Sequence, residues 1–362
     1  MNFKNYLKAL ILRVITKKKN INFDIKNSSK VLMLRYDRIG DMIISTPVFR
    51  ELKIAYPHME INVLASKSNA IILKNNPNVD NIYLNNKNNL LFDLPVLWKL
   101  RKKQIDLCFE FDHSVVRHAI LRLKIINPKK VISIKKDGRY GVRGDDLEIY
   151  DFYVDKLKDA HFRDIWLSML NHLGIKALST QYDIFFNKKE EIQAVEFLNS
   201  FKGKFLVGIN LEGAAKGKKI QFKELKEICI GLFKFNKNVQ IIIITSPNKE
   251  QLVKRKIALM GLDYVLSAYK TITILAVSAL IKNLDMIITP DTSIAHIASA
   301  FNKPVITIHE NNSESYKLFA PISDLNRTIF SKNHNNLKGF SVDSIINASR
   351  ELTEILQGET KL

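Results

Sequence analysis

The stretch VLMLRYDRIGDMIISTPVFRE at residues 31–51 constrains this chain most. Residues 31–34 are uniformly apolar and read as a strand buried on both faces. A polar turn at 35–40 follows, holding one glycine, Gly40, and Asp41 opens an apolar-periodic segment that carries Pro47. A strand, a tight turn and a helix start is how an α/β sheet builds a site beyond the carboxyl end of its first strand. The turn offers a carboxylate where a nucleotide-binding fold would offer a glycine-rich cradle, which points to acid/base chemistry on a sugar or phosphate substrate. Pro47 leaves two places for the helix to begin: at Asp41, with a kink near Pro47, or at Pro47 itself as the first helical residue.

The same alternation runs through the chain. Strands are expected at 61–65, 107–111 and 131–134, with helices at 41–55, 90–102 and 114–124 between them. The asparagine-rich run 75–89 and the Lys/Arg/Gly/Asp-rich run 135–146 are expected to be loops. A helix over 162–173 should end at Gly174. The pattern then restarts with strands at 205–209, 239–244, 265–266, 286–289 and 305–308, the last closing the series. Helices are expected at 222–235, 249–260, 272–282, 293–301 and 342–356. Alternation of this kind predicts parallel, doubly wound sheets, and 362 residues is long for one domain. The organisation expected is therefore a leader at 1–29, an α/β domain at 30–180 and a second at 181–362, joined within 176–188.

Charge and cysteine content narrow the setting. Lys and Arg total 56 against 36 Asp and Glu, a formal net charge of +20, which attracts polyanions such as nucleic acid, anionic lipid or a phosphorylated glycan. The two cysteines, Cys108 and Cys229, lie far apart inside apolar runs and read as reduced core residues of a cytosolic protein. In the leader, Phe3, Tyr6, Leu7, Leu10, Ile11, Val14 and Ile15 recur at helical spacing among Lys4, Lys8, Arg13 and residues 17–19. Two readings stand: a basic amphipathic helix on an anionic membrane face, or a helix packed on the protein's own domain. No uninterrupted apolar core with a small-residue cleavage site suggests a signal peptide, and no run approaches the roughly 20 apolar residues of a membrane span.

Three segments could carry chemistry. Asp41 lies beside Gly40, which lets a substrate approach the backbone. A helix amino terminus together with Arg35 and Arg38 is expected to hold Asp41 ionised, as suits a base that removes a hydroxyl proton late in bond formation; a capping aspartate without chemistry is the alternative. The second segment, TPDTSIAH at 289–296, follows a strand and opens a helix with Asp291 or Thr292 as N-cap, where backbone N–H groups and the Thr292 and Ser293 hydroxyls could cradle a pyrophosphate. His296 either faces the ligand or packs within the fold, the plainer reading. The third, GINLEGAAKGKKI at 208–220, has small residues that admit a ligand, and Lys216, Lys218 or Lys219 could neutralise a diphosphate; a solvated basic loop is the alternative. GxxxxGK[ST] and GxGxxG are absent, which disfavours a P-loop enzyme or a dinucleotide dehydrogenase. No CxxC, HxxxH or HExxH occurs, so no dedicated metal site is expected. Glu110 and Asp112 read as solvent-facing or structural groups. Arg117, Arg122, Arg139 and Arg143 could grip an acidic acceptor, or form a solvated face.

With R-x-D-R-x-G-D-x-x-x-x-x-P at 35–47, the GKK loop at 217–219, and P-D-T-S-x-x-H at 290–296 followed by NKPVITI at 302–308, the chain resembles the lipopolysaccharide heptosyltransferases of glycosyltransferase family 9 over roughly residues 30–309. The resemblance implies a GT-B architecture, with two Rossmann-like domains facing a central cleft. It also implies inverting, metal-independent heptose transfer from ADP-heptose to the phosphorylated inner core of lipopolysaccharide, with no cofactor. The enzyme would be cytoplasmic and peripheral on the inner leaflet. By the same resemblance Asp41 would be the general base. Gly40, Lys218, Asp291, Thr292, Ser293 and His296 would bind the donor, and Arg38, Arg117, Arg139 and Arg143 the acceptor. The chain departs from the family pattern at Ser293, where many members have glycine, at Ile220-Gln221 in place of Trp-Pro, and at HENNSES (309–315) in place of Gly-Pro-Thr. Two other readings compete. One is another nucleotide-sugar donor. The other is a non-enzymatic basic protein that binds membrane or nucleic acid; against nucleic acid, the charge is spread along the chain and no recognition motif appears.

Overall fold

The computed structural model describes residues 3–17, 24–86, 90–213 and 217–359. The chain divides into two compact units, Met1–Gln181 and Tyr182–Leu362. In the first unit the strands are β1 (Lys30–Leu34), β2 (Glu60–Ser66), β3 (Asn81–Asn85), β4 (Leu107–Glu110), β5 (Lys130–Ile134) and β6 (Phe152–Val154). Its helices are α1 (Phe3–Thr16), α2 (Ile39–Ala55), α3 (Leu90–Lys103), α4 (Arg117–Ile126) and α5 (Phe162–Ser168), the last continued by a 3-10 turn to Leu173. The second unit adds β7 (Phe205–Asn210), β8 (Val239–Ile244), β9 (Val265–Ser267), β10 (Met286–Pro290), β11 (Val305–His309) and β12 (Asn326–Phe330). With them come α6 (Lys188–Asn199), α7 (Phe222–Phe235), α8 (Glu250–Ala258), α9 (Ile274–Lys282), α10 (Ser293–Ala300), α11 (Ser313–Phe319) and α12 (Val342–Glu359).

Both sheets are parallel throughout and share one topology. Their orders are β3-β2-β1-β4-β5-β6 and β12-β11-β10-β7-β8-β9, each the doubly wound 3-2-1-4-5-6 arrangement. The order reverses between β1 and β4 in the first unit and between β7 and β10 in the second. Ligands of such sheets bind beyond the carboxyl ends of the strands at that point. The central strands are buried on both faces, as their unbroken apolar runs require: Val31, Leu32 and Met33 in β1 and Ile241, Ile242 and Ile243 in β8 are fully covered.

The amino edges of the sheets are closed by a recurring device. An aspartate just ahead of one strand accepts the leading N–H of its neighbour: Asp106 takes Ser29 and Lys30 ahead of and in β1, Asp80 takes Ile61, Asp151 takes Val131 and Asp285 takes Leu206. Burial pushes the Asp106 carboxyl up, but the Lys129 ammonium and the two backbone donors outweigh it and hold it below the usual value of 3.8. Its contribution to stability is therefore complete above that ordinary value and is lost as pH falls from it through the lowered value of the folded protein. Asp106→Asn should cost about 1–3 kcal/mol at neutral pH, a deficit that shrinks toward pH 3 in urea melts.

The structure corrects several expectations. The 75–89 run holds β3, the series continues to β12 beyond 308, and β6 is a further strand. All three lie at sheet edges, so they lack the continuous apolar run that marks a strand buried on both faces. Helix α2 starts at Ile39, earlier than either expected position, and runs unbroken through Pro47. Pro47 has no N–H for the carbonyl of Ile43, four residues back; the Thr46 hydroxyl donates to that carbonyl instead at 2.7 Å. Gly174 ends the 162–173 helical stretch at φ +71 as expected. Cys108 and Cys229 are both buried and are not joined in a disulfide.

Arg122, read above as a possible acceptor contact, is instead sealed in the core. Its Nε and Nη2 lie 3.2 and 2.7 Å from Asp93 Oδ2, with both side chains essentially unexposed. Helix α1 packs on its own unit through Ala9, Leu12 and Thr16, and Lys124 of α4 donates to the carbonyl of Lys17 at 2.8 Å. Lys18 and Lys19 of the leader lie outside the described residues. Among the described residues no helix is long and apolar enough to cross a membrane.

Candidate active site

In the first unit the chemistry gathers at the carboxyl ends of β1 and β4, where the strand order reverses. Asp41 is the third residue of α2, and its two oxygens have different anchors. Oδ2 accepts the N–H of Arg38, the residue preceding α2, at 3.2 Å, and Oδ1 lies 3.4 Å from Arg35 Nη2. Arg35 Nε also donates to the Asp41 carbonyl at 3.2 Å, and its Nη1 reaches Asp37 Oδ2 at 3.2 Å. The guanidinium is only 3% exposed. It lies 4.1 Å from the Trp166 ring centroid and 5.4 Å from that of Phe111. Aromatic walls and a fork of hydrogen bonds fix its plane, so Asp41 stands in one orientation with part of its carboxylate open to solvent. Gly40 is buried in the first turn of α2.

A second group of charges lies at the ends of β4 and β5. Glu110 and Lys136 form a buried ion pair. Glu110 also accepts the Ser133 hydroxyl at 2.8 Å and the Asp112 N–H at 3.0 Å. Lys136 is therefore not part of an exposed loop, and Glu110 is structural. Burial, with the nearby Glu110 and Asp37 carboxylates adding to it, holds the Asp112 carboxyl well above the usual carboxylate range. The first unit thus presents Asp41 as a partly open carboxylate in the turn after β1 and Asp112, after β4, as a carboxyl biased toward its protonated form by burial and its carboxylate neighbours. The sequence sets Asp112 aside with Glu110 as solvent-facing or structural, because neither its burial nor the approach of Asp37 is visible in the local pattern.

In the second unit Thr292 is the N-cap of α10. Its Oγ1 accepts the N–H of Ile294 at 3.1 Å and faces Asn210 Nδ2 at 3.5 Å. With Oγ1 accepting, its own O–H is available to donate outward. Lys218 Nζ lies 3.0 Å from Glu310 Oε2 and 3.9 Å from Asp291 Oδ2, and His309 Nε2 lies 3.5 Å from the same Asp291 oxygen. The 208–220 segment folds back on itself: Ile220 donates to the Leu211 carbonyl and Gly213 to that of Lys218. A Cβ on Gly213 would fall 2.1 Å from that carbonyl oxygen, so only glycine fits. Lys216 lies outside the described residues. Ser293 opens α10, whereas His296 is 5% exposed and sits edge-on to the Tyr182 ring at 6.3 Å.

The structure thus brings Lys218, Asp291 and Thr292 to one sheet edge and adds His309 and Glu310, which the sequence reading noted only as a departure from pattern. Arg38 stays exposed beside Asp41. Arg117 and Arg139 converge on the Tyr140 ring, their guanidinium carbons 5.1 and 4.9 Å from its centroid. Arg143 is exposed, its N–H donating to Asp146 at 2.7 Å.

Comparison with known proteins agrees with this fold. The family model "Glycosyltransferase family 9 (heptosyltransferase)" matches residues 100–348. The lipopolysaccharide core heptosyltransferase OpsX of Haemophilus influenzae is 23% identical over 318 residues, 86% of this chain and 87% of that protein. A glycosyl transferase family 9 structure from Veillonella parvula superposes with a TM-score of 0.73 at 16% identity, covering 92% of this chain and 98% of that one. The E. coli ADP-heptose LPS heptosyltransferase II gives 0.68 at 18% identity, covering 91% and 99%. The fold expected from the sequence is the fold observed in each unit, and the chain belongs to glycosyltransferase family 9, the heptosyltransferases.

Proposed function

We propose that the protein transfers a heptose from ADP-heptose to a hydroxyl of the phosphorylated lipopolysaccharide core, with inversion and without a metal. The observation that carries this is the double anchoring of Asp41, one oxygen on Arg35 and the other on the Arg38 N–H. Asp41 removes the proton from the acceptor hydroxyl. The hydroxyl oxygen bonds to the anomeric carbon as the bond to ADP breaks, and the leaving group keeps the electron pair. One displacement of this kind inverts the anomeric configuration. Lys218, the Thr292 hydroxyl and the first N–H groups of α10 meet the charge on the departing diphosphate, the task a divalent cation performs elsewhere. Gly40 leaves room at the Asp41 turn, Asp291 and His309 hold the Lys218 side of the donor turn, and Ser293 adds a hydroxyl. His296 supports that turn from within the fold.

Beyond the carboxyl ends of β8 and β9, Thr245, Pro247, Ser267 and Tyr269 line a small recess on the same sheet edge. The Thr245 and Ser267 hydroxyls there are buried without a protein partner. Arg38 is the acceptor contact nearest the base, with Arg117, Arg139 and Arg143 further along the same unit. The acceptor class places the enzyme at the inner leaflet of the cytoplasmic membrane.

Transfer from ADP-heptose to defined core acceptors, read by mass spectrometry and by the anomeric proton coupling of the product, tests the reading. Turnover should persist in EDTA. Turnover only with a UDP- or GDP-sugar would overturn the donor assignment. Lys218→Ala should weaken ADP binding about 10- to 100-fold, the loss of hydrogen bonds to a charged group, and calorimetry showing unchanged affinity would remove Lys218 from the donor site.

A further inference from the structure

Helix α1 has two opposed stripes. Ala9, Leu12 and Thr16 are buried against unit 1, while Tyr6, Leu7, Leu10, Ile11 and Val14 are each 47–58% exposed. At 100° per residue the exposed five occupy an arc of about 140°, centred opposite the buried three. Five large apolar side chains on one face are far more than the scattered apolar residues of an ordinary surface. The helix carries no acidic residue. Beside it, Lys8, Arg117 and Arg139, from three separate segments, converge on the Tyr140 ring, their charged centres 5.8, 5.1 and 4.9 Å from its centroid. Among the described residues no carboxylate pairs with any of the three. Like charges gathered in this way are stabilised by an incoming anion.

Resting on the reading of a membrane-borne acceptor, we infer that the outer stripe of α1 and the Lys8–Arg117–Arg139 cluster on Tyr140 form one docking surface that seats unit 1 on an anionic lipid bilayer. The apolar stripe enters the boundary between headgroups and acyl chains, and the cations take lipid phosphates. A helix of 14 residues is about 21 Å long, short of the roughly 30 Å hydrocarbon core, so it lies in the interface. A second copy is a poor occupant, because pairing two such faces would bring two unpaired cation clusters together on chains of net charge +20 each.

The test uses the whole chain and vesicles free of donor and acceptor. Flotation should show binding to mixed phosphatidylcholine–phosphatidylglycerol vesicles, weak binding to phosphatidylcholine alone, and release by salt. The triple variant Leu7→Ser/Leu10→Ser/Ile11→Ser touches only the exposed face and should keep the wild-type melting profile. Its partition should fall about 30-fold or more, and Lys8→Gln should lower it about fivefold. Equal binding by the triple variant, no binding by wild type, or binding indifferent to lipid charge and salt would each overturn the inference. So would a dimer that the triple variant abolishes with no vesicle binding. Turnover on a water-soluble, acyl-free acceptor separates the two readings: a wild type that turns over but does not bind vesicles refutes docking alone, and one that binds vesicles but transfers no sugar refutes the transferase reading alone.

Discussion

Asp41→Asn is expected to lower kcat by about 10²–10⁴-fold, the range for removal of a positioned general base, while ADP affinity stays unchanged. Asparagine matches aspartate in size and can still accept one hydrogen bond, so α2 keeps its first turn. It cannot take a proton, and its amide nitrogen must face either the Arg38 N–H or the Arg35 guanidinium, both donors. The loss should therefore fall on turnover. Lys218, proposed above to meet the donor diphosphate, is held by Glu310 and Asp291 in the second unit, so ADP affinity is expected to be independent of the substitution. Paired measurements of kcat on a defined acceptor and of ADP affinity by calorimetry decide the matter. Wild-type turnover would remove Asp41 as the base; a parallel loss of ADP affinity would mean that the variant perturbs more than proton transfer. Arg35→Lys supplies the companion control. Lysine keeps the charge but not the planar fork that reaches Asp37, Asp41 and the face of Trp166 together, so turnover should fall with the fold intact.

How much of this was legible in the sequence follows from where burial acts. The central strands β1, β7 and β8 could be read because a strand covered on both faces is a nearly continuous apolar run. Strands β3, β6 and β12 could not, because at an edge one face stays wet and NIYLN reads as a polar run. The Asp41 turn was legible as a motif, but its helix start was not. The signal that keeps α2 continuous is a hydroxyl at Thr46 serving the carbonyl that Pro47 leaves open, a side-chain contact that periodicity does not encode. Asp112 and His309 were not read as site residues for a related reason. Part of the surroundings of each comes from beyond another strand, Asp37 after β1 for the one and Asp291 after β10 for the other. Long-range neighbours also decided the arginines. Arg117 and Arg122 lie a turn or so apart on the same helix, yet one reaches the surface at Tyr140 and the other is sealed on Asp93.

That sealed pair carries the other large effect. Arg122→Ala is expected to destabilise the first unit by about 3–5 kcal/mol, because truncating one partner leaves the Asp93 carboxylate buried without its counter-charge. Asp93 and Arg122 are 1% and 0% exposed, so water cannot take the place of the guanidinium. Replacing both partners, as Asp93→Leu/Arg122→Met, should recover part of the loss, since no unpaired charge then remains at that position. Recovery should stop short of wild type by about 1–3 kcal/mol, because Asp93 also accepts the Asn86 N–H at 2.6 Å. Urea melts of the single and double variants form the test, and a double variant less stable than Arg122→Ala would mean that the pair contributes more than charge cancellation. The effect should also reach the chemistry. The Arg122 guanidinium carbon lies 4.7 Å from the centroid of the Tyr36 ring, and Tyr36 follows Arg35 directly in the chain. Losing that support loosens the turn that aims Asp41, so surviving folded Arg122→Ala enzyme should show a lower kcat with ADP affinity unchanged, a split that simple loss of folded protein cannot produce.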